Sequence, residues 1–74
     1  MTIDEVVHKL KGTKPGRITK HAVKIQGIFY PVKEAYAEVT GLDLLDFNTN
    51  TARAAFKRLG FDVVRMSAEK NGRL

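Results

Sequence analysis

The decapeptide AVKIQGIFYP, at residues 22–31, constrains the fold of this chain more than any other stretch. Val23 and Ile25 alternate with polar residues, which is the pattern of a strand with one buried face. The following Gln26-Gly27 pair can form a two-residue turn, because glycine readily adopts the positive φ that a tight hairpin needs. Pro31 lacks an N–H group and must end the return strand. The segment therefore predicts a β-hairpin, which is marginal in isolation and needs further elements to cover it.

Amphipathic patterns predict three helices around this hairpin. The first starts at a T-x-x-E capping box formed by Thr2 and Glu5. The third starts at Asn48 or Thr49, both of which are good N-caps. Apolar residues recur at helical spacing and define one face on each helix. These faces are Ile3, Val6, Val7 and Leu10; Val32, Ala35, Tyr36 and Val39; and Ala52, Ala55, Phe56 and Leu59.

A last strand is predicted in FDVVR, residues 61–65, and we expect it to pair with the hairpin. The order is then α-β-β-α-α-β, an α+β fold with a three-stranded antiparallel sheet and helices packed on one face. We expect residues 1–65 to form a single domain, since a chain of 74 residues has room for one at most. We expect residues 66–74 to form a flexible tail. In the connection LDLLDF, residues 42–47, the leucines and Phe47 are expected to fill the core.

The charge balance points to an anionic partner. Thirteen lysines and arginines stand against eight acidic residues, which gives a net charge of +5. A small basic domain often meets a polyanion, although the same charge also serves solubility alone. The chain has no cysteine, which excludes disulfides and thiolate metal sites and fits a reducing location such as the cytoplasm. No apolar run approaches the roughly 20 residues of a membrane span.

The residues that usually carry catalysis are sparse and scattered. His8 and His21 do not form a metal-ligand pair at helical spacing, and both are expected at the surface. Asp43 and Asp46 lie three residues apart between helices, where capping or a turn explains them better than a cation site. No phosphate-binding loop of the G-x-x-x-x-G-K-S/T type is present. We therefore expect no enzyme, no cofactor, no metal and no small-molecule substrate.

Two groups of basic residues are candidates for nucleic-acid contact. The first group is expected to form a strip along the basic linker GTKPGRITKH, residues 12–21, and the hairpin, and the second lies on the third helix. On that helix Arg53 and Lys57 are four residues apart and share a face. If both groups lie on one side of the fold, they straddle a phosphate backbone. The candidates are Lys14, Arg17, Lys20 and Lys24 in the first group, and Asn50, Arg53, Lys57 and Arg58 in the second.

Two modes of base contact stay open. In one, Arg53 and Asn50 read bases in the major groove, where arginine favours guanine and asparagine favours adenine. In the other, the hairpin is inserted, with Lys24 and Gln26 near its tip. A solvated connector is the alternative explanation for the basic linker.

The segment from Val23 to Val63 resembles a small module of actinobacterial proteins. Its pattern is a G-x-x-Y-P-x-K turn into a helix, then T-G-L, then D-F and a helix that ends in R-L-G-F. A similar arrangement occurs in the N-terminal head regions of some modification-dependent restriction endonucleases. The resemblance implies association with DNA rather than catalysis, and it adds Lys33 to Arg53 and Arg58 as residues that carry function.

The function expected from the sequence is a non-enzymatic DNA-binding module that contacts duplex DNA through its basic linker, hairpin and third helix. A protein-interaction or homodimerisation module without nucleic-acid binding is the alternative, because a three-stranded sheet leaves its edges open. RNA is the third candidate partner. No membrane partner is expected.

Overall fold

The computed structural model describes residues 1–16 and 20–65. It confirms the predicted α+β class and the element order α-β-β-α-α-β. The predicted tail at residues 66–74 lies outside the described residues, as does the candidate Arg17. The elements are α1 (Ile3–Leu10), β1 (His21–Ile25), β2 (Ile28–Pro31), α2 (Val32–Thr40), α3 (Thr49–Leu59) and β3 (Asp62–Arg65), with a 3-10 turn at Leu44–Asp46.

The sheet has β1 at its centre, in the order β2-β1-β3, and both of its pairings are antiparallel. The predicted pairing of the last strand with the hairpin is therefore confirmed. Val23 of β1 lies opposite Tyr30 of β2 and Val63 of β3. Because directly paired residues point to the same side of a sheet, these three side chains form one apolar row.

All three helices cover the face that carries this row, as predicted. Phe56 of α3 and Leu10 of α1 are buried there together with the sheet residues. On the opposite face Lys24 lies between Phe29 and Asp62 in the register, and the side chains of Lys24 and Asp62 are exposed. The buried core consists of Val6, Leu10, Val23, Ile25, Tyr30, Val32, Ala35, Val39, Ala52 and Phe56.

Side-chain caps determine where α1 and α3 begin. At α1 the Thr2 N–H donates to Glu5 Oε1 at 3.0 Å and the Glu5 N–H donates to Thr2 Oγ1 at 3.1 Å. The predicted capping box is thus present. At α3 the side chain of Asn48 accepts a hydrogen bond from the Thr51 N–H at 2.8 Å. Asn48, rather than Thr49, is therefore the N-cap.

The prediction that the leucines of residues 42–47 fill the core is wrong. Leu42 is 44% exposed, Leu44 is 41% exposed and Leu45 is 92% exposed. Phe47 does pack against the core, and its ring contacts Tyr36 edge-on with centroids 4.7 Å apart. The connection is too short to bury several large side chains, so Phe47 occupies the one position available and the leucines face outward.

Two further positions differ from the sequence-based expectation. Ile3 was expected on the buried face of α1 but is 50% exposed, because α1 packs through Val6 and Leu10 and its first turn lies beyond the core. His21 was expected in a linker but is the first residue of β1. Of the described helices, none is long and apolar enough to cross a membrane.

The hairpin turn contains a strained residue. Gln26 has φ of 54° and Gly27 has φ of 80°, so both central residues lie in the left-handed region, as in a type I′ turn. Asparagine populates that region several-fold more readily than other side chains. We expect Gln26→Asn to raise the free energy of unfolding by about 1 kcal/mol, measured by urea denaturation. Gln26→Ala is the control and brings no such gain, and a destabilised Asn variant would contradict this account of the turn.

Phe56 is the largest fully buried side chain of the core. We expect Phe56→Ala to lower the free energy of unfolding by about 3–5 kcal/mol, because a cavity remains where the ring was. Small domains have little stability in reserve, so circular dichroism should show a largely unfolded variant at moderate temperature. Leu45→Ala also truncates an apolar side chain, but an exposed one, and is expected to leave stability within about 0.5 kcal/mol of wild type.

Candidate nucleic-acid interface

A groove of about 470 Å³ lies where β1 begins and β2 ends, between the first turns of α2 and α3. Because β1 and β2 are antiparallel, the start of one strand lies beside the end of the other. The chain thereby brings together a linker residue, a strand residue and two helix N-terminal turns. The groove residues that matter for its chemistry are Lys20, His21, Lys33, Glu34, Leu44 and Thr49.

His21 lies at the centre of a group of positive charges. It faces Arg65 across the β1–β3 pairing, on the sheet face that carries the helices. Its Nδ1 atom is buried and has no hydrogen-bond partner among the described residues. Burial of the ring lowers the pKa of His21 from its ordinary value of 6.5, and the charges of Arg53, Arg65 and Lys20 lower it further. The imidazole is therefore mostly neutral at pH 7, and three cations are close enough to disfavour its protonation.

Arg53 connects α3 to this group. Its side chain is half-buried, and its Nε atom is buried without a hydrogen-bond partner in the described part of the chain. One terminal nitrogen, Nη1, donates to Asn50 Oδ1 over a long distance of 3.5 Å. Guanidinium groups usually bind anions through several donors at once. The guanidinium of Arg53 is thus positioned by α3 but only weakly engaged.

Lys33 is placed by the first turn of α2, and its side chain is half-buried. Its Nζ atom lies 5.3 Å from the centroid of the Phe47 ring. A cation–π contact of this kind orients an ammonium group without neutralising its charge. Lys33 therefore presents a positive charge to the groove from a defined position.

The N-terminus of α3 forms another wall of the groove, through Thr49. The aligned peptide dipoles of a helix give its N-terminus a partial positive charge. One acidic residue, Glu34, also borders the groove, and its Oε1 atom lies so close to Gly16 that a Cβ there would be 2.6 Å away. The only ion pair between described residues joins the Met1 amino group to Glu5. The groove is thus positive, with no lysine or arginine of the described chain neutralised by a carboxylate.

The expected strip along the linker and hairpin is dispersed by the fold. Lys20 lines the groove, whereas Lys14 lines a separate cleft of about 180 Å³ that also contains Glu34 and Glu38. Lys24 lies on the uncovered face of the sheet, with Nζ 5.8 Å from the centroid of the Phe29 ring. Arg17, the remaining member, lies outside the described residues. The described members thus occupy three different places.

On α3 the candidates divide between the two ends of the helix. Asn50 is in the first turn and contacts Arg53, close to the groove. Lys57 and Arg58 are exposed in the last turn. Cations at that end complement the helix dipole, which is a structural reason for their presence.

Two residues of this cationic region were not predicted from the sequence: His21, which lines the groove, and Arg65, which lies opposite it on β3. His21 was expected at the surface, and Arg65 was treated as part of the last strand only. Both become relevant because the β1–β3 register sets them opposite each other. No spacing in the sequence indicates that register, so no local signal identifies the pair. Within residues 1–16 and 20–65 no group of three or more His, Asp or Glu residues is placed to hold a metal ion.

Fold and groove together define a small basic α+β domain in which helices cover one face of a three-stranded sheet and cations surround a groove at one end of the central strand. The chain belongs to the SCO5918-like family, whose model matches residues 1–73. It matches no curated protein and no solved structure. The match extends over almost the whole chain, beyond the segment from Val23 to Val63 that carries the sequence resemblance.

The environment of His21 predicts a pH dependence of stability. Because the folded state lowers the pKa of His21 below 6.5, the unfolded chain binds the proton more tightly. We expect the free energy of unfolding to be highest above pH 6.5 and to fall as the pH drops below that value. Urea denaturation between pH 8 and pH 5.5 measures this trend.

The matched control uses the other histidine. His21→Gln should flatten the dependence on pH, whereas His8→Gln, at an exposed position of α1, should retain it. Equal slopes for wild type and His21→Gln would show that the groove does not disfavour the imidazolium.

Proposed function

We propose that this protein is a non-enzymatic DNA-binding module that holds the phosphate backbone of duplex DNA in its basic groove. The observation that carries the proposal is that Lys20 and Lys33 line one groove with His21 and the N-terminus of α3. No carboxylate is paired to any described lysine or arginine. A cytoplasmic location, expected from the lack of cysteine, belongs to the same proposal.

The electrostatics of the groove support an anionic ligand. Like charges held close together destabilise a folded protein, and a bound anion relieves that repulsion. Burial is the main cause of the lowered pKa of His21, and the charges of Arg53, Arg65 and Lys20 lower it further, as expected of a positive potential. Phosphate oxygens are suitable partners for lysine, for arginine and for the N-terminus of α3. The net charge of +5 adds long-range attraction for a polyanion.

The same contacts favour positioning on the backbone over reading of bases by Arg53. A side chain that reads guanine in the major groove must extend freely to the base edge. Arg53 is half-buried, and its Nη1 donates to Asn50 Oδ1. The two residues that were candidates for base contacts are therefore hydrogen-bonded to each other. Phosphate contact requires no such reach, and it fixes the register of a protein on DNA. Hairpin insertion through Gln26 remains the alternative source of base contacts.

The sequence resemblance supports the choice of DNA. The resemblance to head regions of modification-dependent restriction endonucleases implies association with DNA. The G-x-x-Y-P-x-K motif that carries this resemblance in the present chain includes Lys33. In this chain Lys33 lies in the groove, where its Nζ contacts the Phe47 ring. Arg53 belongs to the same segment, residues 23–63, and lies near the groove, whereas Arg58 is exposed at the far end of α3.

Fluorescence anisotropy with a labelled duplex tests the proposal. The logarithm of the affinity should fall linearly with the logarithm of the salt concentration, by about 0.9 for each neutralised phosphate. The two lysines that line the groove and the two arginines near His21 then give a slope of about −3.6 if each neutralises one phosphate. Lys20→Ala/Lys33→Ala should lower the affinity at least ~10-fold and reduce the slope by about 1.8.

Matched variants isolate the groove from the total charge. Lys14→Ala/Lys24→Ala removes the same charge from outside the groove and should weaken binding far less. On α3, Arg53→Gln should weaken binding more than Lys57→Gln, which lies one turn further along. Equal effects of the groove and control pairs, or an affinity that does not respond to salt, would contradict the proposal. Competition with single-stranded DNA and with RNA identifies the preferred nucleic acid, and circular dichroism confirms that each variant is folded.

A further inference from the structure

We propose that the protein self-associates by docking the exposed leucines of one copy into an apolar pocket of a second copy. The leucine turn consists of residues 42–46 between α2 and α3. The hairpin pocket, of about 310 Å³, lies between α1 and the β1–β2 hairpin. Leu44 of the leucine turn also lines the basic groove, whereas Leu45 and the hairpin pocket lie outside it. The residues of the hairpin pocket used below are Val7, Leu10, Lys11, Ile25, Ile28 and Tyr30.

The leucine turn exposes three large apolar side chains to solvent. Leu45 is 92% exposed, and Leu42 and Leu44 are each more than two-fifths exposed. Single exposed leucines are ordinary, but adjoining ones on a protruding turn are typical of an interaction site. Burial of these side chains against a partner would recover hydrophobic free energy that the monomer lacks.

The turn is also rigid enough to dock without a large entropic cost. The Leu45 N–H donates to Asp43 Oδ1 at 3.0 Å, and the Asp46 N–H donates to the Asp43 carbonyl at 2.9 Å. Phe47, which follows directly, packs edge-on against Tyr36. The backbone that carries Leu45 is therefore already ordered before binding, which lowers the cost of association.

The hairpin pocket offers a complementary apolar site. Val7, Leu10, Ile25, Ile28 and Tyr30 provide most of its lining. The hydroxyl of Tyr30 donates to the Leu10 carbonyl at 3.4 Å, so this polar group is already engaged. Ile28 remains 45% exposed at the pocket. A leucine side chain entering the pocket would cover apolar surface that is otherwise in contact with water.

Charge complementarity points to a second copy as the occupant. Asp43 and Asp46 flank Leu45, so the leucine turn is an acidic feature on a basic protein. The hairpin pocket is lined by one charged residue, the exposed Lys11. Neither the two carboxylates nor Lys11 forms an ion pair with another described residue. A docked leucine turn would bring opposite charges together around the buried leucine, which orients the contact.

The two surfaces are different, so a single contact joins unlike patches of two copies. Such heterologous contacts either close into rings or extend into chains. The contact is also small compared with a stable interface of roughly 1,600 Å². Self-association is therefore expected to be weak and to depend on concentration.

Sedimentation equilibrium from micromolar to millimolar protein tests the proposal. The weight-average mass of the wild type should rise with concentration. Leu45→Glu and Ile28→Glu should each weaken association at least ~10-fold, because each places a charge in the apolar contact. Ile3→Glu is the matched control, since Ile3 is exposed on α1 but belongs to neither surface, and it should associate like wild type.

A mixing experiment distinguishes this contact from any other dimer. Leu45→Glu retains an intact pocket and Ile28→Glu retains an intact leucine turn, so an equimolar mixture should form a one-to-one dimer and nothing larger. Lys11→Glu should weaken self-association, and Asp46→Lys in the same chain should restore it, without any change to the core. A wild type that stays monomeric over the whole range, a Leu45→Glu variant that associates like wild type, or a mixture that fails to pair would each overturn the proposal.

Discussion

β1 lies at the centre of the sheet, and its two pairings fix the positions of the other elements. Val23 pairs with a residue on either side, and this apolar row supports all three helices. A strand that is paired on both edges cannot shift its register without moving every side chain to the other face. The two ends of β1 are therefore fixed relative to the helices. One end opens into the basic groove, and the other end leads into the hairpin beside the apolar pocket.

The groove results from this fixed register rather than from a local motif. His21 is the first residue of β1, and its position opposite Arg65 and near Arg53 follows from the pairing with β3 and the packing of α3 on the sheet. Each of these cations is acceptable alone at a protein surface. Together they create a positive potential that the folded protein sustains because its core holds the elements in place. An anionic partner relieves that repulsion, which is the physical basis of the proposed DNA contact.

The connection between α2 and α3 shows how a packing constraint generates a surface. Phe47 takes the available core position against Tyr36, and Asp43 caps the 3-10 turn before it. With the backbone held in this way, the side chain of Leu45 is exposed to solvent. The hydrophobic residues of this segment looked like core in the sequence because composition does not distinguish a buried turn from a protruding one. The apolar pocket beside the hairpin is the surface that we propose this turn occupies in a second copy.

The local elements and their apolar faces can be predicted from the amino-acid sequence, because they depend on contacts a few residues apart. The capping box at Thr2, the Gln26-Gly27 turn and the helix stripe through Phe56 are all of this kind. The sequence also indicated the candidate cations, but not which of them lie close together in the folded protein. Only the tertiary structure placed Lys20 and Lys33 on one groove and Lys24 on the opposite face of the sheet, since these positions depend on strand register and helix packing between residues distant in the chain.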